Sequence, residues 1–194
     1  IKSSENYQVS VCNDKKTILL ALQVSSDVNS VMHSSENVKP LKIIESMRFL
    51  QSNFRIIVRT HPLEKDSINA EIYEICNQWS FDISQNTLLE DLTDADIVFT
   101  VNSTVGIESL VRQIPVVAFG KSYWMNLPGV LFLGEGINES ICDAKDLEDL
   151  ISSGVEVAEI EDFVVNNFSL GHFQHHNESH STFAHIADYF EEKR

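Results

Sequence analysis

Asp96-Ile-Val-Phe-Thr-Val101 runs straight into Asn102-Ser103-Thr104-Val105-Gly106-Ile107-Glu108. A continuous apolar run of strand length that yields to hydrogen-bonding residues reads as a buried parallel strand turning into a helix. Ser103 or Thr104 can cap that helix, and Gly106 lets a ligand come close to the backbone. A second segment repeats the pattern, as Phe54-Arg-Ile-Ile-Val-Arg59 breaks into Thr60-His61-Pro62. In open α/β sheets ligands bind outside the carboxyl ends of the strands. Hydroxyls and N–H groups at a helix start, joined by a histidine from another strand end, suit a phosphate. Together the two segments point to a nucleotide.

Outward from these segments, strands and helices alternate. Thr17–Val24 reads as a first strand and 25–30 as a polar loop. Leu41, Ile44, Met47, Phe49 and Leu50 recur at helical spacing, which predicts a helix over Val38–Gln51 with Pro40 in its first turn. Further helices are expected at Ser67–Trp79, Leu88–Thr93 and Thr104–Arg112, and strands at Phe81–Ile83, Pro115–Phe119 and Val130–Leu133. The remainder reads as helical, over Ala144–Ser152, Glu159–Phe168 and Thr182–Glu192. This alternation predicts an α/β fold, a Rossmann-like open parallel sheet with helices on both faces. Residues 1–16 are expected to be a tail or linker, 17–143 the nucleotide-binding domain, and 144–194 helices packed on that domain.

At 194 residues the chain is long enough for one well-buried domain. The formal net charge of −15 disfavours nucleic acid and anionic lipid surfaces as partners. A small anion remains compatible with it, because oriented amides and one or two local cations hold a phosphate. No apolar stretch approaches the roughly 18–20 residues of a membrane span, and the start of the chain lacks the pattern of a signal peptide. Cys12, Cys76 and Cys142 form no CxxC, so reduced thiols in a cytoplasmic compartment are expected. The first residue is not methionine, which fits a piece of a longer protein.

Each candidate residue has a bland reading beside the chemical one. Ser103 and Thr104 hold a phosphate and Glu108 accepts from ribose hydroxyls, or this is a capped helix with Glu108 facing solvent. Pro62 keeps His61 out of the αR region and fixes the direction of its imidazole. Beside a diphosphate-like anion that ring favours its charged form; otherwise it is a loop histidine without a role. Arg59 adds a second cation, or pairs with a nearby acid. The end of the first strand, from Gln23 to Asp27, sits beside the fourth strand if the sheet reverses there, which puts Ser25, Ser26 and Asp27 across the crevice from Ser103; otherwise it is a polar loop. The absence of G-x-G-x-x-G disfavours a nicotinamide or flavin dinucleotide, and the absence of G-x-x-x-x-G-K-[ST] excludes a P-loop ATPase. His172, His176 and His180 have i,i+4 spacings, but no H-E-x-x-H accompanies them, so no metal is expected. No G-x-S-x-G elbow supports a serine hydrolase.

Four stretches carry a resemblance: Leu20-Ala-Leu-Gln-Val-Ser-Ser-Asp27, Val58-Arg-Thr-His-Pro62, Val101-Asn-Ser-Thr-Val-Gly-Ile-Glu-Ser-Leu110 and Pro115-Val-Val-Ala-Phe-Gly-Lys-Ser-Tyr-Trp124. In order and spacing they resemble the capsule polysaccharide biosynthesis family. These are bacterial capsule glycosyltransferases, including those that transfer Kdo from a CMP-activated donor. The resemblance implies a GT-B architecture of two Rossmann-like domains, of which this chain is the C-terminal, donor-binding one. It implies that His61 contacts the donor phosphate, as the catalytic residue, with Ser103 and Thr104 beside it and Glu108 on the ribose. No metal or other cofactor is implied, because side chains and a helix dipole neutralise the leaving phosphate. The acceptor-binding half, where the resemblance puts the catalytic base, is not found before Thr17 in this sequence, so the chain is expected to be the donor-binding half alone. The chain is therefore expected to bind a CMP-sugar weakly and to transfer no sugar alone, reaching a glycan or glycolipid acceptor through the missing domain. Its expected location is cytoplasmic, peripheral at the inner face of the membrane. Rival readings are a UDP-sugar transferase or 2-epimerase domain, and a non-catalytic module binding polysaccharide or a partner protein.

Overall fold

The computed structural model describes residues 15–24, 39–134 and 143–164. Six strands form one parallel sheet: β1 (Thr17–Ala21), β2 (Arg55–Arg59), β3 (Asp82–Ile83), β4 (Ile97–Thr100), β5 (Val116–Ala118) and β6 (Val130–Phe132). Their spatial order is β3-β2-β1-β4-β5-β6. This is the doubly wound arrangement, with the strand order reversing between β1 and β4. The expected Rossmann-like fold is the one observed.

The helices are α1 (Pro40–Ser46), α2 (Asp66–Trp79), α3 (Leu88–Asp94), α4 (Val105–Val111), α5 (Ala144–Ser153) and α6 (Val157–Val164). Side-chain alternation along the strands feeds two cores. Ile18, Leu20, Val58 and Phe99 pack with Ile43 and Ile44 of α1, Ile72 of α2 and Leu147 of α5. Leu19, Ile57 and Val98 face the other way, onto Leu92 of α3, Ile107 and Leu110 of α4, and Ile160 of α6. Strands covered on both faces need apolar residues at every position, which is why their sequences are unbroken apolar runs. Helices α5 and α6 thus cover opposite faces of the sheet.

Boundaries moved where backbone chemistry overrode periodicity. The helix expected over Val38–Gln51 is α1 followed by a 3₁₀ turn at Met47–Leu50. At the junction, Ser46 Oγ donates to the Ile43 carbonyl at 2.6 Å, competing with the ladder where the pitch tightens. The start of α3 carries a capping box, in which Glu90 N–H donates to Thr87 Oγ1 and Thr87 N–H donates to Glu90 Oε2. The helix expected over Glu159–Phe168 begins at Val157, and its end, like the one at Thr182–Glu192, lies outside the described residues.

Cys76, on α2, is buried, and burial pushes its thiol up to about 11. The thiolate is the nucleophile, so Cys76 should resist iodoacetamide at pH 8 and react once urea unfolds the chain. Peptide mapping by mass spectrometry checks this, and fast labelling of the native Cys76 peptide contradicts it.

Register aligns the strand ends that matter. Ala21 pairs with Arg59 on one side and with Thr100 on the other, so β2, β1 and β4 reach one level together. The ladder runs one residue further, as Leu22 N–H donates to the Arg59 carbonyl at 3.0 Å. Gln23, His61 and Asn102 therefore each sit two residues past that level. Strands lie about 4.8 Å apart, so the His61 and Asn102 loops leave the sheet roughly 10 Å apart.

Candidate functional site

The site begins at the crevice between β1 and β4. Gln23 spans it, its Oε1 accepting from the Asn102 backbone N–H and its Nε2 donating to Asn102 Oδ1, each at 2.9 Å. The two-point clamp fixes the Asn102 carboxamide, whose Nδ2 turns toward the Lys121 carbonyl at 3.4 Å. Asn102 was legible in the sequence only as the residue that ends a strand. A pair separated by 79 residues leaves no local signal.

Next comes the turn into α4. Of the two expected caps, Ser103 acts: its Oγ accepts from Val105 N–H at 3.3 Å and its carbonyl from Gly106 N–H at 3.0 Å. Thr104 has helical dihedrals, makes no side-chain cap bond and leaves its side chain exposed. Glu108 is buried rather than solvent-facing. Its carbonyl accepts from Arg112 Nη1 at 2.9 Å. Burial and, after it, the negative charge of Glu108 push the Tyr123 phenol up to about 12, so Tyr123 stays a neutral donor at physiological pH.

Gly106 has a different reason than expected. A Cβ built there would come within 2.7 Å of Trp124 Cε2 and closer still to Cζ2. Trp124 is fully buried, so the missing side chain makes room for its indole rather than for a ligand.

On the β2 side, His61-Pro62-Leu63-Glu64 closes a β-turn with proline at its second position, as Glu64 N–H donates to the His61 carbonyl at 3.0 Å. Leu63 N–H donates to His61 Nδ1 at 3.1 Å. With Nδ1 accepting that N–H, Nε2 is the nitrogen of the half-buried imidazole that carries its N–H donor. Glu64 is buried, with Oε1 accepting from Lys65 N–H, which ties the turn to the start of α2.

Arg59 follows the second of its two sequence readings. Its Nη1 donates to Asp91 Oδ2 at 2.8 Å and to the Asn86 carbonyl at 2.7 Å. Asn86 follows β3, and Asp91 lies in α3, whose Leu92 packs beneath β1 and β4. Nη1 of the guanidinium is taken up by these two bonds. Asp91, which no local pattern marks, is buried and also accepts from Ser84 Oγ.

Ser25, Ser26, Asp27, Cys12, Cys142 and the histidines from His172 onward lie outside the described residues. Among the described residues no helix is long and apolar enough to cross a membrane.

The family model for capsule polysaccharide biosynthesis protein matches residues 2–132, which include both turns and the clamp. The chain belongs to that family. The lipopolysaccharide-processing protein LpsZ of Rhizobium meliloti is 25% identical over 118 residues, covering 58% of this chain and 26% of LpsZ. Among solved structures, the beta Kdo 2,7 transferase KpsC of Thermosulfurimonas dismutans matches with a TM-score of 0.53 at 22% identity, over 71% of this chain and 45% of its own. The beta Kdo 2,4 transferase KpsC of the same organism gives 0.48 at 16%, over 74% and 46%. The chain thus spans about a quarter of the matched curated relative and less than half of either transferase chain. The likeness to the 2,7 transferase shows a shared fold.

Proposed function

We propose that this capsule-family domain binds the nucleotide-sugar donor of a glycosyltransferase, with a CMP-sugar as the first choice. One observation carries the reading: the His61 turn and the Asn102–Thr104 turn leave one sheet edge on either side of the strand-order reversal. That is where doubly wound sheets hold their ligands. Membership of the capsule family and the fold shared with a Kdo transferase support it. In this reading His61 Nε2–H donates to the donor phosphate, with the Ser103 and Thr104 hydroxyls beside it. Glu108 takes the ribose hydroxyls. The Gln23–Asn102 clamp fixes the floor between them. A hydrogen bond that shortens as charge builds on the departing nucleotide stabilises the transition state more than the ground state. The acceptor's proton is removed by a base outside this chain. A nucleotide-sugar donor places the domain in the cytoplasm.

The test is a thermal-shift panel of CMP, UDP and GDP, followed by titration of the His61→Ala variant. CMP should give the largest stabilisation, because ligand bound only to the folded state raises its stability. His61→Ala should weaken CMP about tenfold, the loss of one charge-assisted hydrogen bond, with melting unchanged. A larger shift with UDP moves the assignment to a UDP-sugar transferase or epimerase domain. No shift with any nucleotide favours a module that binds polysaccharide or a partner protein.

A further inference from the structure

Beyond the phosphate and ribose contacts, the segment 121–124 has features that the donor reading leaves unused. Phe119 N–H donates to the Thr100 carbonyl at 3.0 Å and Gly120 N–H to the Val101 carbonyl at 2.8 Å, so the chain after β5 stays against the end of β4. Trp124, buried against Gly106, then pins the segment to the first turn of α4. Between these anchors Tyr123 keeps 44% of its surface exposed and stacks on Phe163 of α6, with centroids 6.1 Å apart and planes 8° from parallel.

The same region holds polar atoms that have lost water without gaining a partner. Thr100 Oγ1, Ser122 Oγ and Trp124 Nε1 are buried with no hydrogen-bond partner among the described residues. Buried polar side chains are satisfied in the large majority of cases, so a group of them calls for an explanation. Val98 and Trp124 share one core, and Thr100 follows Val98 by two residues, so Thr100 lies on that face of the sheet too. The face is the one that carries α4 and Glu108.

We infer that Tyr123 is the stacking platform for the nucleobase of the donor, and that the 121–124 segment sets which base is accepted. The inference rests on the donor-nucleotide reading above and names the part of the ligand that reading leaves unassigned. β5 lies one strand spacing, about 4.8 Å, beyond β4. Glu108 lies near enough to Tyr123 to act on its phenol, so a nucleotide with its phosphate over the β1–β4 crevice and its ribose at Glu108 has the exposed ring within reach of its base. An aromatic ring held against Phe163 in an offset stack loses little freedom when a base stacks on it.

Calorimetric titration of the full chain with CMP and with ribose 5-phosphate tests this, because the second ligand lacks the base. Tyr123→Ala should weaken CMP about tenfold, the usual loss for one stacked base, and leave ribose 5-phosphate unchanged. Tyr123→Leu keeps an apolar contact with Phe163 but no aromatic face, and should show the same selective loss. Tyr123→Phe should bind CMP within about threefold of wild type, since stacking needs the ring and not its hydroxyl. Equal losses for both ligands, or CMP affinity unchanged in Tyr123→Ala and Tyr123→Leu, overturns the inference while leaving the donor reading intact. A wild-type chain that binds none of CMP, UMP and GMP overturns both.

Discussion

Arg59→Ala is expected to lower the unfolding free energy by about 3 kcal/mol, without moving the denaturant slope. Asp91 has no exposed side-chain surface, and its carboxylate is compensated by one guanidinium at 2.8 Å and by the Ser84 hydroxyl. Removing one partner of a buried pair leaves an uncompensated charge, which costs about 3–5 kcal/mol. The lower figure applies because the Arg59 side chain keeps 23% of its surface and water can enter the space it vacates. Urea unfolding followed by circular dichroism measures the loss. The double variant Arg59→Ala/Asp91→Asn should recover part of it, since the charge left stranded is then also gone. A double variant as unstable as the sum of its single changes would show that packing, and not the charge pair, holds β2 to α3. At a temperature where Arg59→Ala remains folded, CMP affinity should stay within about twofold of wild type. A larger loss would return Arg59 to the ligand.

What the sequence showed, and what it hid, follows from the range of the interactions. The strands from Thr17, Arg55, Ile97 and Val116 were legible because burial on both faces forces unbroken apolar runs. The reversal between β1 and β4 was legible as a possibility, and the order β3-β2-β1-β4-β5-β6 realises it. His61 and Ser103 were legible because proline and a hydroxyl at a strand end have local consequences. Hidden from it were pairings set by the third dimension. The Gln23–Asn102 clamp and the Arg59–Asp91 pair join residues 79 and 32 positions apart, and nothing in either neighbourhood announces its partner.

That division has a functional edge. The residues the chain commits to itself, Arg59 and Gly106, have chemistry or shape that also suits a ligand, so residue type alone misassigns them. The residues left open at the same edge, His61 and Thr104, are half-buried and exposed respectively. Exposure does not separate them, since Arg59 is half-buried like His61; the difference is that the Arg59 bonds run to Asn86 and Asp91, whereas the His61 bonds stay within its own turn, through Nδ1 to Leu63 and the carbonyl to Glu64.

Gly106→Ala should be nearly as damaging as loss of the ion pair, at about 3 kcal/mol, although alanine is the better helix former. The propensity gain is at most about 1 kcal/mol and shrinks in a first turn. Against it, the added methyl overlaps the six-membered ring of Trp124. Trp124 has no exposed surface, so its indole can move only by displacing Ile107, Leu110 and their neighbours. Overpacking of this kind costs about 1–3 kcal/mol and occasionally more. For a chain of this size a 3 kcal/mol loss lowers the melting temperature by about 6–12 °C. Trp124→Leu alone should cost a similar amount, through the cavity it leaves. Combined, the two changes should cost clearly less than their sum, because the methyl then enters space the indole gave up. Strict additivity in differential scanning calorimetry would mean that the two residues do not meet. In that case the anchor that holds Tyr123 beside α4 would have to be sought elsewhere in the 121–129 loop.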